Sequence, residues 1–429
     1  MGSKKSKRKK RGSSEINSKI IIPPWAVTDE TAMDLVPPQG FLHDYINYAS
    51  ESTDAPIWFH MGSILTTIAC ALGFTDIEVH RADGKSKTFN MQMWSAIVAQ
   101  SQDRKSAAAN IATRVLRKAR PSSFMANEGS VDGWFEGLLD DDVGGVQLIH
   151  RDELVTLWDS QRKSYNNNFS NWLLQTYNDG FLTKQLTSKQ DGSGGFVQVP
   201  RARISVLGNI PPDVLQRNTS RGDWRSGFLP RFYWWPSVRV RYMELDGYDP
   251  KIEAQFARWL KKVCCRSVGK IIFTYEVSRL ITNWVLRNVE RRRHRLSADE
   301  YPIMVKLMDK AFTIAAIFAA ANRRRNFEEL VVRSKHVRRT LRMIDVIRDS
   351  TRNIFSVVSI DQATAEEESI LNFLEQSPGA SVHAICTSCG LSRQRAKAIL
   401  DMLFKEETIE PFESAKKVRG RPGTRYQIR

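Results

Sequence analysis

Apolar and polar residues alternate in two rhythms along this chain, and the changes from one to the other predict its elements. From Trp25 to Gly73 apolar residues recur at helical spacing. Leu42, Tyr45 and Ile46 give one face and Ile64, Leu65, Ile68 and Leu72 another. Residues 77–80 and 88–91 then alternate as strands around Asp83-Gly84, the signature of a hairpin. Three dense apolar runs, 93–98, 146–151 and 203–208, read as buried strands, and 107–116 as an Ala-rich helix behind the first. Residues 181–187 and 196–199 suggest a second hairpin around the Gly/Ser-rich 188–195. From 256 to 349 the pattern is mainly helical, as in Met304, Leu307, Met308, Ala311, Phe312 and Ala315.

Beyond a linker expected at 356–365 the pattern changes. Helices are predicted at 366–376, 382–389 and 393–405, the last capped by Ser392, and residues 408–412 can pair with 425–428. This is the pattern of a winged helix-turn-helix. The expected organisation is a disordered basic tail (1–19), a helical region with a hairpin (20–90), an α/β core (91–245), a basic helical region (246–355), the linker, and a winged-helix domain (366–429).

The three buried strands end in polar groups that suit one chemistry. After the first strand, Ala99-Gln100-Ser101-Gln102-Asp103-Arg104-Lys105-Ser106 opens a helix, the setting of a phosphate-binding loop. Ala99 and Arg104 stand where the usual G-x-x-x-x-G-K-[ST] pattern has glycine. An ordinary strand, turn and capped helix is the alternative. The expected nucleotide contacts are Ser101, Asp103, Arg104, Lys105 and Ser106. The second strand ends in Asp152-Glu153, one carboxylate to organise Mg²⁺ with Ser106 and the other to polarise water, or simply a solvated strand end. The third ends at Asn209, which either senses the γ-phosphate or caps a turn. Arg231, in Gly227-Phe228-Leu229-Pro230-Arg231-Phe232, is either an arginine finger for a neighbouring subunit or a structural arginine stacked on aromatics.

In order, the chain shows V-A-Q-S-Q-D-R-K-S, I-H-R-D-E-L, G-N-I-P-P and G-F-L-P-R-F. Over residues 37–347 it resembles a family of P-loop ATPases carried by phages, prophages and plasmids, often beside primase modules. Its members read V-A-E-S-G-E-R-K-S, an apolar strand with Asp-Glu, N-I-x-P and G-[FL]-L-x-R-F. Arg104 fits that pattern, whereas Gln102 stands where relatives tend to carry Gly. The resemblance implies a RecA/AAA-like α/β core that uses ATP and Mg²⁺, and a replicative role. A homo-oligomeric ring such as a hexamer and a primase or other replication partner come with it.

Composition narrows the partners. Lysine and arginine (64) exceed aspartate and glutamate (47) for a net charge of +17, which points to a polyanion, either nucleic acid or an acidic membrane surface. No apolar run reaches the roughly 20 residues of a membrane span. The nearest, 303–321, is broken by Lys306, Asp309 and Lys310. Five cysteines are too few for a disulfide framework, which fits the cytoplasm, or a nucleus if the host is eukaryotic. Cys386 and Cys389 either share a zinc or pack a short helix. For DNA, the expected contacts are Lys184 and Lys189 on the 181–199 hairpin, projecting into a pore around a single strand unless that loop is simply solvated. Arg393, Gln394, Arg395 and Lys397 start the recognition helix for duplex, and Lys416, Lys417, Arg419 and Arg421 form the wing. A winged helix can also serve protein contacts. The combined expectation is a DNA-dependent ATPase, a helicase or translocase. The alternative is a non-hydrolysing DNA-binding initiator or maintenance protein on the same scaffold.

Overall fold

A computed structural model describes residues 22–126, 130–140, 143–162, 169–185, 196–219, 223–224, 227–243, 247–297, 300–405, 408–411 and 425–428. The protein is an α/β fold with parallel sheet, in two compact units, Met1–Ile354 and Phe355–Arg429.

The first unit opens with helices α1 (Asp29–Leu35), α2 (Phe41–Ser52) and α3 (Ile57–Ala71). Every residue of α3 is buried, because it packs on the sheet behind it with neighbouring helices on its other sides. Strands β1 (Thr75–His80) and β2 (Ser86–Asn90) form the expected hairpin, with Gly84 in its turn. Then come β3 (Trp94–Val98), α4 (Lys105–Ala119), α5 (Val131–Leu138), β4 (Val146–Arg151), α6 (Val155–Arg162) and α7 (Phe169–Asp179). The hairpin β5 (Leu182–Gln185) and β6 (Phe196–Val199) is antiparallel, and β7 (Arg203–Ile210), α8 (Pro212–Asn218) and β8 (Phe232–Pro236) follow. Strands β3, β4, β7 and β8 make one parallel sheet in the order β4-β7-β3-β8. Their side chains are almost wholly buried, as strands covered on both faces require.

The remainder of the unit is α9 (Pro250–Val263), β9 (Gly269–Phe273), α10 (Tyr275–Asn288), α11 (Glu300–Val305), α12 (Leu307–Ala321), β10 (Glu329–Val331) and the start of α13 (Ser334–Gln376). Two strands interrupt the helical pattern expected for 256–349. β9 and β10 extend the β1–β2 hairpin into a mixed sheet of order β10-β9-β1-β2, with β9 parallel to β1 and β10 parallel to β9. The stretch 356–365, expected as a linker, is helical backbone within α13. It carries Ala363, Ala365 and Glu366–Glu368 nearby and no glycine or proline, so nothing in it breaks a helix.

In the second unit the end of α13 packs with α14 (Val382–Cys389) and α15 (Arg393–Lys405) around Ile370, Leu374, Ile385, Ile399 and Leu403. A small antiparallel sheet, β11 (Ala380–Ser381), β12 (Ile409–Pro411) and β13 (Arg425–Ile428), closes this core in the order β11-β13-β12. Ser392 caps α15 through Arg395 N at 3.3 Å. Cys386 and Cys389 pack against the same apolar cluster.

Candidate functional site

A cleft of about 690 Å³ lies beyond the carboxyl ends of β3, β4 and β7, within the size range of small-molecule sites. Open parallel sheets bind ligands at this edge, where loops and helix N-termini converge. Its floor is the turn from β3 into α4. The Gln100 side chain accepts from Asp103 N, while the Asp103 carboxylate accepts from Gln100 N at 3.0 Å, closing the turn on itself. Asp103 also accepts from Arg239 N at 3.3 Å. It is thus turned inward as a brace and does not line the cleft, contrary to its expected role as a nucleotide contact.

Arg104 takes φ 63° and ψ 26°, and it alone among described non-glycine residues has positive φ. For an L-residue that conformation costs roughly 1–2 kcal/mol. A buried carboxylate holds it. Arg104 Nε donates to Asp54 Oδ1 at 3.0 Å, and Asp54, 1 % exposed at its side chain, also accepts from Arg239 Nη1 at 3.3 Å and Met243 N at 3.1 Å. Lys105 begins α4 and is buried, its ammonium donating to the carbonyls of Ala99 (2.7 Å) and Gln100 (2.6 Å). Burial lowers its pKa from the ordinary lysine value, against the opposing pull of Asp103 and Asp213. The loop is therefore wrapped around a cation at a helix N-terminus, where free N–H groups already favour an anion.

The opposite wall comes from β4 and β7. Arg151 is level with Gly208 and Ile97 with Asn209, so the tip of β7 falls between β3 and Asp152. Leu154 N donates to Asn209 O at 2.8 Å, and a Cβ on residue 208 would come within 2.6 Å of the Leu154 side chain, so a larger residue there would push Leu154 aside. Asn209 Nδ2 donates to Asp152 Oδ1 at 3.3 Å and reaches Ser106 Oγ at 3.5 Å. Asn209 Oδ1 is buried and has no protein partner among the described residues. Asp152 and Glu153 are exposed on the cleft wall. Ser101, Arg104, Lys105, Ser106, Asp152, Glu153 and Asn209 thus line one cleft, although they come from three separate segments.

Other expected residues lie elsewhere. Arg231 immediately precedes β8, whose first residue Phe232 is level with Trp94, so it sits at the end of the sheet opposite the cleft. It is buried, donates to Asn178 Oδ1 at 2.7 Å and to the Gly227 carbonyl, and stacks 5.3 Å from the centre of the Tyr177 ring. Burial depresses its pKa. That is the stacked structural arginine; a side chain so enclosed cannot reach into a neighbour's site, and the finger role is withdrawn. Lys184 is paired with Asp132 at 2.5 Å, and Lys189 lies outside the described residues. On α15, Arg393, Gln394 and Lys397 are exposed, while Arg395 bonds Glu366 Oε2 at 2.6 Å. Lys416, Lys417, Arg419 and Arg421 lie outside the described residues.

Sequence reasoning missed Asp54 and Arg239, which clamp Arg104. Asp54, just ahead of Pro56 and α3, looks locally like any helix-entry carboxylate. Comparison with family models finds no match to this chain, and comparison with curated proteins finds none. Among the described residues no helix is long and apolar enough to cross a membrane.

Proposed function

We propose that the chain is a P-loop ATPase whose turnover is coupled to DNA, a helicase or translocase of a mobile genetic element. One observation carries the reading: Asn209 joins Ser106 and Asp152 across a cleft whose floor is a buried lysine at a helix N-terminus. In this reading Lys105 and the first N–H groups of α4 hold the β- and γ-phosphates. Glu153, exposed on the wall, accepts a proton from the water that attacks the γ-phosphorus as the bond to the β-phosphate oxygen breaks. Asn209 keeps Asp152 and Ser106 in register through its amide nitrogen.

The donor set suits Mg²⁺. The ion takes oxygen ligands and keeps several waters, and Ser106 and Asp152 present a hydroxyl and a carboxylate on one amide. Among the described residues no group of three or more His, Cys, Asp or Glu side chains could hold a metal, so the remaining ligands would be phosphate and water. Bound there, Mg²⁺ would neutralise charge on the phosphate oxygens.

For DNA, support comes from the net charge of +17 and from the exposed Arg291, Arg292 and Arg295 after α10. In the second unit, three helices with a small antiparallel sheet and the exposed Arg393, Gln394 and Lys397 on the third helix suit a winged helix on duplex. A ring of subunits would need a trans-acting cation other than Arg231.

The second reading, a DNA-binding initiator that does not hydrolyse ATP, is favoured by Arg104, clamped to Asp54 where flexible loops have glycine. A DNA-stimulated ATPase assay tests the proposal. The parent should release phosphate faster with DNA present, and Lys105→Ala should abolish both turnover and ATP binding. Binding without turnover gives the second reading; unchanged ATP binding by Lys105→Ala overturns both.

A further inference from the structure

We infer that a second cavity beside the phosphate loop is the nucleoside site, selecting a purine and adenosine above others; this rests on the phosphate-loop reading. The cavity, about 400 Å³, meets the first cleft at Ala107 and follows the outer face of α4 past Asn110, Ile111 and Arg114 to Thr53 and Tyr248. At 1.5 Å of rise per residue, Asn110 and Ile111 lie roughly 8–9 Å along the helix from Lys105. That is a span a nucleotide covers between its terminal phosphates and its base.

The lining has the parts a base requires. Ala107 and the buried Ile111 give an apolar wall. Tyr248 is 52 % exposed, and its ring is held by the Arg114 guanidinium, 4.9 Å from the ring centre, while Lys118 Nζ reaches its hydroxyl at 3.3 Å. Both cations are fixed on the wholly buried Glu253, each at 2.8 Å, so the aromatic platform has a rigid backing. Aromatic and guanidinium planes are the surfaces on which bases stack. Asn110 is exposed, and its side-chain amide makes no hydrogen bond among the described residues. A free amide offers one donor beside one acceptor, the complement of the adenine edge at N6 and N7. The phosphate loop has cations and no aromatic side chain, whereas this cavity has an aromatic side chain and a free amide. The two divide a nucleotide between them.

The test is calorimetric titration of ATP, CTP and inorganic tripolyphosphate into the full chain, with and without Asn110→Phe, which fills the cavity from an exposed helical position. The parent should bind ATP about ten-fold or more tighter than CTP or tripolyphosphate, the gain expected of one stacked and hydrogen-bonded base. Asn110→Phe should bring ATP down to the tripolyphosphate level and leave tripolyphosphate itself unchanged. Tyr248→Ala, at an exposed residue, should lower ATP affinity in the same direction. If ATP and tripolyphosphate bind the parent equally, or Asn110→Phe leaves ATP affinity intact, the nucleoside site is refuted and the phosphate site survives. If neither ligand binds the parent, the phosphate reading fails and takes this inference with it.

Discussion

Arg104 allows the strain in the turn between β3 and α4 to be measured separately from its ion pair. Arg104→Ala keeps the left-handed backbone at φ 63° but removes the bond to Asp54. A hydrogen bond to a charged group contributes about 1.5–3 kcal/mol. The lower end applies, because the Arg104 side chain is 35 % exposed and Asp54 keeps Arg239 and Met243 N. Arg104→Ala should therefore lose about 1.5 kcal/mol. Arg104→Gly loses the same bond, but glycine accepts positive φ freely and should recover about 1 kcal/mol of it. Urea unfolding followed by tryptophan fluorescence suits the comparison. All 11 tryptophans, from Trp25 to Trp284, precede residue 355, so the signal reports the first unit alone. The expected order of midpoints is parent, then Gly, then Ala. An alanine variant as stable as the glycine variant would show that the backbone at 104 stores no strain, and two variants equal to the parent would remove the Asp54 clamp as well.

Glu153→Gln should bind ATP as the parent does while turnover falls about 10²-fold to 10⁴-fold, the usual contribution of a positioned base; loss of binding in a titration would make Glu153 structural. His60 is buried with both ring nitrogens unpartnered among the described residues, and burial lowers its pKa from 6.5 to about 3. Between those values the unfolded chain carries a proton that the native state does not, so stability falls as pH drops through that window. His60→Leu should flatten this part of the stability curve, and an unchanged acid slope in urea titrations would exclude His60 as its source. Reversing Arg393 and Lys397 to glutamate should weaken duplex binding and lower the salt slope by roughly two. Identical slopes for parent and double variant would move α15 to protein contacts.

The strands that build the cleft were legible because each is a dense apolar run, which only burial on both faces explains. Lys105, Ser106, Asp152 and Asn209 were legible for a related reason: polar residues just past such runs must emerge at one edge of a parallel sheet. β9 and β10 were not. Lys270 interrupts the first and the second has three residues, and their pairing partners lie on strands distant in sequence. Arg231 could be read two ways because its neighbours are aromatic under either role. Tyr177 and Asn178, on α7, decide it, and nothing adjacent in the chain announces them. The inward turn of Asp103 was hidden likewise, since one of the N–H groups it accepts belongs to Arg239.

The complete burial of α3 bears on how the protein is made. Its covering comes from β3, β7 and β8 in the sheet and from α4, α12 and other helices, and α12 begins 250 residues after α3 does. At ribosomal rates that interval lasts about 10–50 s. Through it α1, α2, α4 and the sheet strands become available to α3, but the side that α12 covers, on a helix carrying Ile57, Trp58, Phe59, Ile64, Leu65 and Ile68, still lacks its final partner. The nascent protein should therefore occupy a holding chaperone until residue 321 has left the ribosome, and chains stopped short of α12 should aggregate rather than accumulate as folded fragments.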